Sequence, residues 1–407
     1  MHRREPFVLP PEPSCRGGGQ PHFCGSGGMT ASLIGIVGAT GAVGGAALSI
    51  LVSEGRSVRA GYHSNAKRSD AASGCQWRHV DADDADSLAR FCDGCGIVLN
   101  AAGPSCRIGD RVARAAILAG ADYVDAFGGG ALLRTLSAST LPPGICLVHS
   151  AGVYPGLSDL LPRWLADHFD HIRALRAWAG GRERCTPAAA ADVLLSTLQG
   201  FGQAGAVWIN GSRRTGVPAP GNAIPGAGFP GPIHVQPFLG EEQARLAMDL
   251  GLRDLCWNNV MPGSRISGLL SRWCGLLTLR GAADHTTLRQ AVSEIVAAAE
   301  TEIAGQEPYY RLVLEMDGDR AGRSRRLRAV LRAPDSYRLS AAIAVSAVLQ
   351  LPAVPPRTGI LGAADVLDFA SVLERLRLWR VIDGFDVVDV PVTESGDETV
   401  SVEEGGI

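Results

Sequence analysis

The sequence predicts an α/β protein in which a doubly wound parallel sheet is followed by a second, α+β domain with a mixed sheet. From Leu33 to Gly152, strands that are apolar throughout alternate with helices, a pattern typical of a parallel sheet covered on both faces. A glycine-rich turn follows the first strand, and after Tyr154 the strands become longer and acquire polar positions. A chain of 407 residues is long enough for two such domains.

The first domain is predicted to contain six strands separated by helices. The strands are SLIGIVG, SVRAGYH, QWRHVDA, GIVLNAAGP, ADYVDAFG and GICLVHSAG. Helices are predicted from Ala42 to Glu54, in DADSLARFCDG with Asp84 or Asp86 as N-cap, and in IGDRVARAAILAG, which ends at Gly120.

The second domain has a less regular pattern. HIRALRAWAGG, PYYRLVLEMDGD and SRRLRAVLRAP are predicted strands of a more antiparallel sheet, and Gly362 to Trp379 has a strong helical period. The segment TGVPAPGNAIPGAGFPGPIHVQP is predicted to be a long loop without a helix or strand of its own. Loops of this length are usually binding elements or disordered.

The overall composition excludes several classes of function. A net charge of −3 and a pI near 6.3 provide no basic footprint for nucleic acid or an anionic membrane, and the apolar runs are shorter than the roughly 20 residues of a membrane span. Lys67 is the one lysine among 38 lysines and arginines. Its context excludes Schiff-base catalysis, a phosphate-binding GK[ST] loop and a Tyr-x-x-x-Lys pair. Ten cysteines without a spaced framework are typical of reduced thiols in a cytoplasm.

The turn after the first strand predicts a dinucleotide site. In GIVGATGAVGG, Gly38, Gly41 and Gly44 are spaced three apart, between a buried strand and a helix N-terminus. Such a turn lets the backbone approach a pyrophosphate, whose charge then faces unpaired N–H groups and the positive end of the helix. The spacing is looser than G-x-G-x-x-G, but its place in the first turn of an alternating unit favours a Rossmann-type domain that binds a nicotinamide coenzyme.

The end of the second strand distinguishes between the two nicotinamide coenzymes. Proteins that use NAD usually place an acidic residue there to hold the ribose 2′-hydroxyl. This strand ends in RAGYHSNAKR, which has no acidic residue and offers donors and positive charge on Tyr62, His63, Ser64, Lys67 and Arg68. NADP(H) is therefore the predicted cofactor. The alternative is that Lys67 and Arg68 are only a solvated helix start.

The carboxyl ends of the later strands are expected to complete the site, because ligands of open α/β sheets bind at this edge. The fourth strand ends in NAAGP, whose residues are predicted to let the nicotinamide ribose lie against the backbone: Asn100, Ala101, Gly103 and Pro104.

Three residues at the ends of the next two strands are candidate catalytic residues. Asp125, His149 and Tyr154 all belong to side-chain types that position or protonate substrates. The alternative is that Asp125 caps a turn and that His149 is hydrogen-bonded within the core.

No metal site is predicted. The pairs Cys92/Cys95 and His168/His171 have ligand-like spacing, and the two histidines are expected on one helix face. Neither pair has the further ligands that a zinc site needs.

Four stretches between Ile34 and Leu165 resemble the saccharopine dehydrogenase-like (saccharopine reductase) family of NADP-dependent oxidoreductases: GIVGATGAVGG, VDADDADSLARFCDGCGIVLNAAGP, GDRVARAAILAGADYVDAFG and SAGVYPGLSDLLPRWL. YRLSAAIAVSAVLQL and GILGAADVLDFASVLERL look like the family's returning C-terminal segment. The resemblance implies a Rossmann domain, a mixed-sheet domain for substrate and dimer contacts, and hydride transfer at a carbon bonded to nitrogen. The residues that match its phosphate turn and its nicotinamide-side strand end are Gly38, Thr40, Gly41, Ala42 and Val43, and Asn100, Ala101, Gly103 and Pro104.

Both ends of the chain differ in composition from the rest. The first 30 residues are rich in glycine and proline and lack the apolar stretch of a signal peptide, and the tail from Thr393 holds five acidic residues and no basic one. Either Met29 is the true start, or the leader is an unstructured extension. The expected divisions are a disordered leader (1–30), an NADP-binding Rossmann domain (31–152), a substrate and dimerisation α+β domain (153–345), a C-terminal segment returning to the Rossmann domain (346–390) and an acidic disordered tail (391–407).

The predicted function is NADPH-dependent reduction of a C=N bond, or oxidation of a secondary amine, in an amino-acid-derived small-molecule substrate of secondary metabolism. Two alternatives stay open: a trans-acting enoyl reductase of lipid or polyketide assembly, which transfers hydride to a C=C bond, and a non-catalytic NADPH-binding sensor. A homodimer is expected, with no nucleic-acid or membrane partner.

Overall fold

The computed structural model describes residues 32–64, 75–136, 141–198, 201–220, 226–261, 263–280, 285–351 and 359–391. The predictions for residues 1–30, for Lys67 and Arg68, and for the tail from residue 392 lie outside these ranges. No helix within the described ranges is both long and apolar enough to cross a bilayer.

The first part of the described chain alternates between strands and helices. Its elements are β1 (Ile34–Val37), α1 (Ala42–Ser53), β2 (Val58–Tyr62), β3 (Gln76–His79), α2 (Ala85–Cys92), β4 (Ile97–Asn100), α3 (Ser105–Ile108), α4 (Arg111–Leu118), β5 (Asp122–Asp125), α5 (Gly130–Leu136), β6 (Cys146–His149) and α6 (Leu157–Ala166).

The second part has longer strands and two long helices. Its elements are β7 (His171–Arg182), α7 (Pro187–Leu198), β8 (Gly202–Ala204), β9 (Val207–Ile209), β10 (Ser212–Arg214), β11 (His234–Gly240), α8 (Glu241–Asp249), β12 (Asp254–Met261), α9 (Ser264–Arg280), α10 (His285–Ile303), β13 (Tyr309–Arg320), β14 (Arg323–Ala333), α11 (Ser336–Gln350), β15 (Gly359–Gly362), α12 (Ala363–Val366), α13 (Phe369–Leu378) and β16 (Gly384–Asp389).

A seven-stranded parallel sheet forms the first domain, in the order β15-β6-β5-β4-β1-β2-β3. Strands β1, β4 and β6 are buried at every position, as expected for strands covered on both faces. The chain runs outward from β1 through β2 and β3, then returns to the other side of β1 with β4. The order therefore reverses between β1 and β4, where doubly wound sheets bind their ligands.

A nine-stranded mixed sheet forms the second domain. Its centre joins β12 and β7 in parallel and β7, β13 and β14 in antiparallel fashion. Along β13, the apolar Leu312, Leu314 and Met316 belong to the main core, while Glu315 and Asp317 pair with Arg328 and with arginines of the neighbouring strands. The parallel sheet and the mixed sheet confirm the predicted fold class.

Helix α11 joins the two domains. Its residues from Leu339 to Val348 are buried all round, which is typical of a helix enclosed within a core. It packs on α1 and α13, and at its start Ser336 and Tyr337 form hydrogen bonds with Glu183 and Arg184, which follow β7 of the second domain. The boundary predicted between residues 345 and 346 falls inside this helix.

The chain after α11 contributes to both sheets. Strand β15 pairs in parallel with β6, with Leu361 opposite Val148, whereas β16 pairs with β14 of the second sheet. The segment expected to return to the first domain therefore also adds the edge strand β16 to the second sheet.

Two local predictions are wrong. The long proline- and glycine-rich segment was predicted to lack a strand, but β11 begins at His234 within it, because β12 provides a partner for its backbone groups. His168 and His171 do not share a helix face: α6 ends at Ala166, His168 packs against Trp164, and His171 opens β7.

The burial of α11 makes a stability prediction. Ile343→Ala removes a fully buried side chain and is expected to lower the free energy of unfolding by about 2–4 kcal/mol. Leu378→Ala is the control, since Leu378 is 73% exposed on α13 and its loss is expected to change stability by less than about 0.5 kcal/mol. Chemical denaturation measures both. Equal effects would contradict the enclosed position of α11.

Candidate cofactor and substrate site

A cavity of about 1150 Å³ lies between the carboxyl edge of the parallel sheet and the second domain. The first domain lines it with the segments after β1, β4, β5 and β6, and the second domain with the ends of β7, β11 and β12 and with α7, α8, α9 and α10. Its position at the reversal of strand order makes it the candidate site.

The turn after β1 is held by close backbone packing. Gly38 has a φ of +83°, and a Cβ there would lie 2.7 Å from the backbone nitrogen of Ala102. A Cβ at Gly44 would overlap the carbonyl oxygen of Gly38. Only glycines allow β1, the end of β4 and the start of α1 to meet this closely.

The start of α1 fits a bound anion. Gly41 occupies the N-cap and has no side chain to satisfy the helix, and the first turn of α1 holds no acidic residue. The first N–H groups of a helix have no intrahelical partner, and Gly41, Ala42 and Val43 line the cavity. This end of the site therefore suits the pyrophosphate of a dinucleotide.

Three of the residues predicted to bind the adenosine part of the coenzyme, at the end of β2, are described by the structure. We call this part of the cavity the adenosine end. His63 lines the cavity, whereas Tyr62 and Ser64 do not. The ring of Tyr62 instead packs edge-on against Trp77 and His79 of β3.

Acidic residues also reach the adenosine end, and sequence reasoning missed them. Asp81 and Asp83 follow β3 and line the cavity. An oxygen of Asp81 lies 3.8 Å from Nε2 of His63, and Asp83 forms an ion pair with Arg111. They follow β3, the strand beside β2, whereas the coenzyme prediction rested on the end of β2 itself.

Asn100 and Asp125 lie behind the cavity wall, not on it. The buried carboxylate of Asp125 accepts hydrogen bonds from the side-chain amide of Asn100 at 3.1 Å, from the hydroxyl of Tyr123 and from the N–H of Phe127 at 2.8 Å. Burial raises the pKa of Asp125, and these hydrogen bonds oppose the rise. The N–H of Ala102 donates to Asn100 Oδ1 at 3.2 Å. Both side chains thus fix the ends of β4 and β5.

The second domain forms hydrogen bonds with the turn after β4. Asp192 of α7 accepts hydrogen bonds from the N–H and the hydroxyl of Ser105 at 2.6 and 3.0 Å. Ala101, Gly103 and Pro104, as well as Asp192 itself, line the cavity here. Burial raises the pKa of Asp192. This contact spans the two domains, and no local sequence pattern indicates it.

His149 lines the cavity as a neutral imidazole. Its Nδ1 lies 2.9 Å from the hydroxyl of Ser150, and only 5% of the residue is exposed. Burial, helped by Arg245, lowers its pKa to about 4, although Asp365 acts in the opposite direction. Near neutral pH the ring is therefore not in the imidazolium form that acts as a general acid.

Tyr154 presents an unpaired hydroxyl. Its ring stacks on Trp257 with 5.2 Å between centroids and meets Phe238 edge-on. Its Oη is buried and has no hydrogen-bond partner among the described residues, and the side chain lines the cavity. Burial raises the pKa of Tyr154, and Glu242 and Tyr310 add to the rise. A buried hydroxyl without a partner calls for a ligand or water.

Two half-buried glutamates on the second-domain side were missed by sequence reasoning. Glu242 accepts hydrogen bonds from the hydroxyl of Ser158 and from Nε2 of Gln243 at 3.1 Å. Burial and the nearby Asp159 raise the pKa of Glu242 to about 7. Its one sequence signal was the acidic pair that opens the helix EEQARL.

Glu183 is the other glutamate. It accepts hydrogen bonds from the N–H and the hydroxyl of Ser336 at 2.6 and 2.7 Å, and burial raises its pKa to about 7. Like Glu242 it lines the cavity, as does Tyr310 beside it. Nothing in the sequence distinguishes Glu183 from a surface acid at the end of a strand.

The structure places the remaining predicted residues as follows. Those on the cavity wall are Gly38, Thr40, Gly41, Ala42, Val43, His63, Ala101, Gly103, Pro104, His149 and Tyr154. Among the described residues, no group of three His, Cys, Asp or Glu side chains is arranged to hold a metal ion.

Comparisons with known proteins agree with the predicted family resemblance and cofactor. Residues 34–141 match the family model described as the saccharopine dehydrogenase NADP binding domain. The match confirms the predicted resemblance and the predicted NADP(H) cofactor. No curated protein sequence matches significantly.

Solved structures show the same fold. Apo histidine-tagged saccharopine dehydrogenase (L-Glu forming) from Saccharomyces cerevisiae is 14% identical, with a TM-score of 0.61 over 88% of this chain and 100% of that chain. Vestitone reductase from alfalfa is 18% identical over 23% of this chain and 35% of its own, with a TM-score of 0.20. A short-chain dehydrogenase/reductase superfamily protein from Agrobacterium tumefaciens is 24% identical over 24% and 33%, also with a TM-score of 0.20. The last two matches are too partial to support an argument.

The phosphate turn makes the first site prediction. Gly38→Ala is expected to weaken NADPH binding about tenfold or more, because the new Cβ meets the backbone of Ala102. Fluorescence titration with NADPH measures the change. Gly55→Ala is the matched control, since its φ of +68° imposes similar strain and nothing lies within 4 Å. Unchanged affinity in Gly38→Ala would contradict the placement of the turn.

Glu242 makes a prediction about pH. Its folded-state pKa of about 7 lies above the ordinary value of 4.5, so its protonated form favours folding at low pH, and this contribution is lost as the pH rises through about 7. Glu242→Gln cannot ionise. The free energy of unfolding of the wild type is expected to fall between about pH 5 and pH 8. In Glu242→Gln this fall is expected to be smaller by about 2 kcal/mol.

Chemical denaturation at the two pH values measures this difference. The control is Glu307→Gln, at an exposed position, which is expected to keep the wild-type pH dependence. If Glu242→Gln also keeps it, the carboxyl of Glu242 is not perturbed in the folded protein.

Proposed function

For this saccharopine dehydrogenase-like, NADP-binding oxidoreductase, we propose reduction of a C=N bond with NADPH, or oxidation of a secondary amine in the reverse direction. One observation supports this best: Tyr154, whose buried hydroxyl has no partner among the described residues, and Glu242 line the same cavity as the phosphate turn. In this proposal Tyr154 is the proton donor, Glu242 returns a proton to it, and the phosphate turn holds the coenzyme.

The coenzyme would be held by residues already on the cavity wall. Gly41, Ala42 and Val43 would bind the pyrophosphate, His63 would lie at the adenosine end, and Gly103 would lie beside the nicotinamide ribose. When bound, NADPH supplies the hydride. The second domain covers the sheet edge and would exclude water from the reacting centre.

Acidic side chains on the second-domain wall would favour a protonated nitrogen. Glu183, Asp192 and Glu242 lie on this side, and their ionised forms would stabilise a nearby cation more strongly in a partly buried site than in water. Protonation of an imine makes its carbon more electrophilic, so these side chains would promote hydride transfer to that carbon.

Tyr154 is the proposed proton donor. Its Oη would give a proton to the nitrogen, and Glu242, whose charge acts on Tyr154, would restore it. Asp125 and His149 were the other candidates. Asp125 lies behind the wall and would act by positioning β4 and β5. His149 is neutral near pH 7 and would act as a hydrogen-bond partner, not as a general acid.

Enoyl reduction is the second candidate, and a different observation favours it. Three tyrosines, Tyr154, Tyr310 and Tyr337, line the cavity together with a largely apolar wall. Phenolic hydroxyls are suitable donors to the oxygen of an enolate, which forms when hydride adds to a C=C bond conjugated with a carbonyl group.

Several finer points stay predictions from the sequence. They are the amino-acid origin of the substrate, a role in secondary metabolism, the homodimer and the cytoplasmic location.

The proposed donor is tested with Tyr154→Phe, which keeps the ring on Trp257. We expect kcat for imine reduction to fall by about 100-fold while NADPH affinity changes by less than about twofold. Tyr309→Phe is the matched control, because Tyr309 does not line the cavity. Absorbance of NADPH follows turnover of imines, enoyl thioesters and carbonyl compounds.

The same assay discriminates between the candidates. Faster turnover of enoyl thioesters than of imines would favour the second candidate, and tight NADPH binding without any turnover would favour a sensor. An unchanged kcat in Tyr154→Phe would remove Tyr154 from the mechanism.

A further inference from the structure

Part of the cavity wall comes from three helices of the second domain. We call this part the helical compartment; its apolar lining is Ala189 of α7, Ile266, Leu270 and Cys274 of α9, and Ile295 and Ala299 of α10. The apolar α9 residues follow one another four apart, as do the two α10 residues, and side chains at this spacing share one helix face. On α9 this apolar stripe lies beside Ser267 and Ser271, which also line the cavity.

The stripe on α9 also takes part in packing the helices together. Leu270 and Cys274 pack against a core that Trp273 and Leu277 of α9 form with residues of α7 and α10, and Ile266 is buried with Ala298 and Ala299 of α10. The same stripe borders the cavity, where Leu270 is only half-buried. Covering such a surface with an apolar ligand is favourable.

Charge separates the compartment from the reacting end. Within the described parts of α9 and α10, no charged side chain lines the cavity. Elsewhere on the second-domain side, acidic residues outnumber basic ones: Glu183, Asp192, Glu241 and Glu242 against Arg184 and Arg245. A substrate carboxylate in the compartment would be buried without a partner, which is unfavourable. A substrate with several carboxylates therefore does not fit this half of the cavity.

We propose that the substrate is a lipophilic amine or imine whose apolar chain occupies the helical compartment while its nitrogen lies at the acidic wall beside Tyr154. The nitrogen part rests on the proposed function, whereas the chain part rests on the lining of the cavity alone. The cavity volume of about 1150 Å³ is above the roughly 300–1,000 Å³ of ordinary small-molecule sites, which suits a second ligand beside the coenzyme.

The chain part is tested by binding, without turnover. Protein loaded with NADP⁺ is titrated calorimetrically with n-butylamine, n-hexylamine and n-octylamine. Each added methylene group is expected to tighten binding by about two- to fourfold.

Two variants locate the effect. Leu270→Asp is expected to abolish the dependence of affinity on chain length, because it places a charge in the compartment. Ala189→Phe is expected to reduce this dependence, because the larger side chain fills space. The second variant keeps the test valid if the first does not fold. Leu279→Asp is the matched control, because Leu279 lies on the same helix, is 86% exposed and does not line the cavity. It is expected to behave like the wild type.

The outcomes separate the two parts of the proposal. The helical compartment is ruled out as the binding site of the chain if affinity does not depend on chain length. It is also ruled out if affinity depends on chain length equally in all variants. Octylamine is expected to bind about tenfold more tightly than n-octanoate; equal or tighter binding of octanoate overturns the amine assignment.

The same experiments separate this inference from the proposed function. If no imine is turned over but the chain-length dependence persists and is lost in Leu270→Asp, the reaction is wrong and the compartment stands. If small polar imines are turned over and chain length has no effect, the reaction stands and the compartment is wrong.

Discussion

The site depends on the close approach of three backbone segments at the carboxyl end of β1. Gly38 lies against the end of β4, and Gly44 brings α1 against the carbonyl of Gly38. The approach leaves the first N–H groups of α1 uncapped and turned to the cavity, which creates a site for an anion from backbone atoms alone. A side chain at either glycine would separate β1, β4 and α1, and with them the two halves of the dinucleotide site.

The second domain converts this open sheet edge into an enclosed cavity. Helix α11 packs on α1 and on α13, so the core of the first domain continues into that of the second. Two polar contacts then join the domains at the cavity itself: Asp192 binds Ser105, and Arg134 pairs with Glu241 at 2.6 Å. The turn beside the predicted nicotinamide position is thus held from both sides.

Enclosure also determines the electrostatics of the site. Removal from water disfavours charge, which raises the pKa of both Glu183 and Glu242 to about 7 and lowers that of His149 to about 4. The cavity therefore contains carboxyls that exchange protons near neutral pH and an imidazole that does not. The same enclosure leaves the apolar faces of α9 and α10 as a surface suited to a hydrocarbon chain.

The sequence by itself determined the first domain and its cofactor. Apolar strands alternating with helices specify a covered parallel sheet, and the phosphate turn lies within the single stretch from Gly38 to Gly44, so short-range patterns were sufficient for both. Such patterns fail at His168 and His171. Their spacing predicted one shared helix face, but the helix ends before both residues.

Only the tertiary structure decided which side chains line the cavity. Glu183, Asp192 and Glu242 come from three separate elements of the second domain, and Asp125, although it ends a strand at the correct edge, turns behind the wall. Strand and helix periods state which face a residue occupies, but the packing of the two domains determines whether that face borders a cavity or a core. Burial at that boundary is what shifts the protonation of these side chains, so their chemistry follows from the assembled fold.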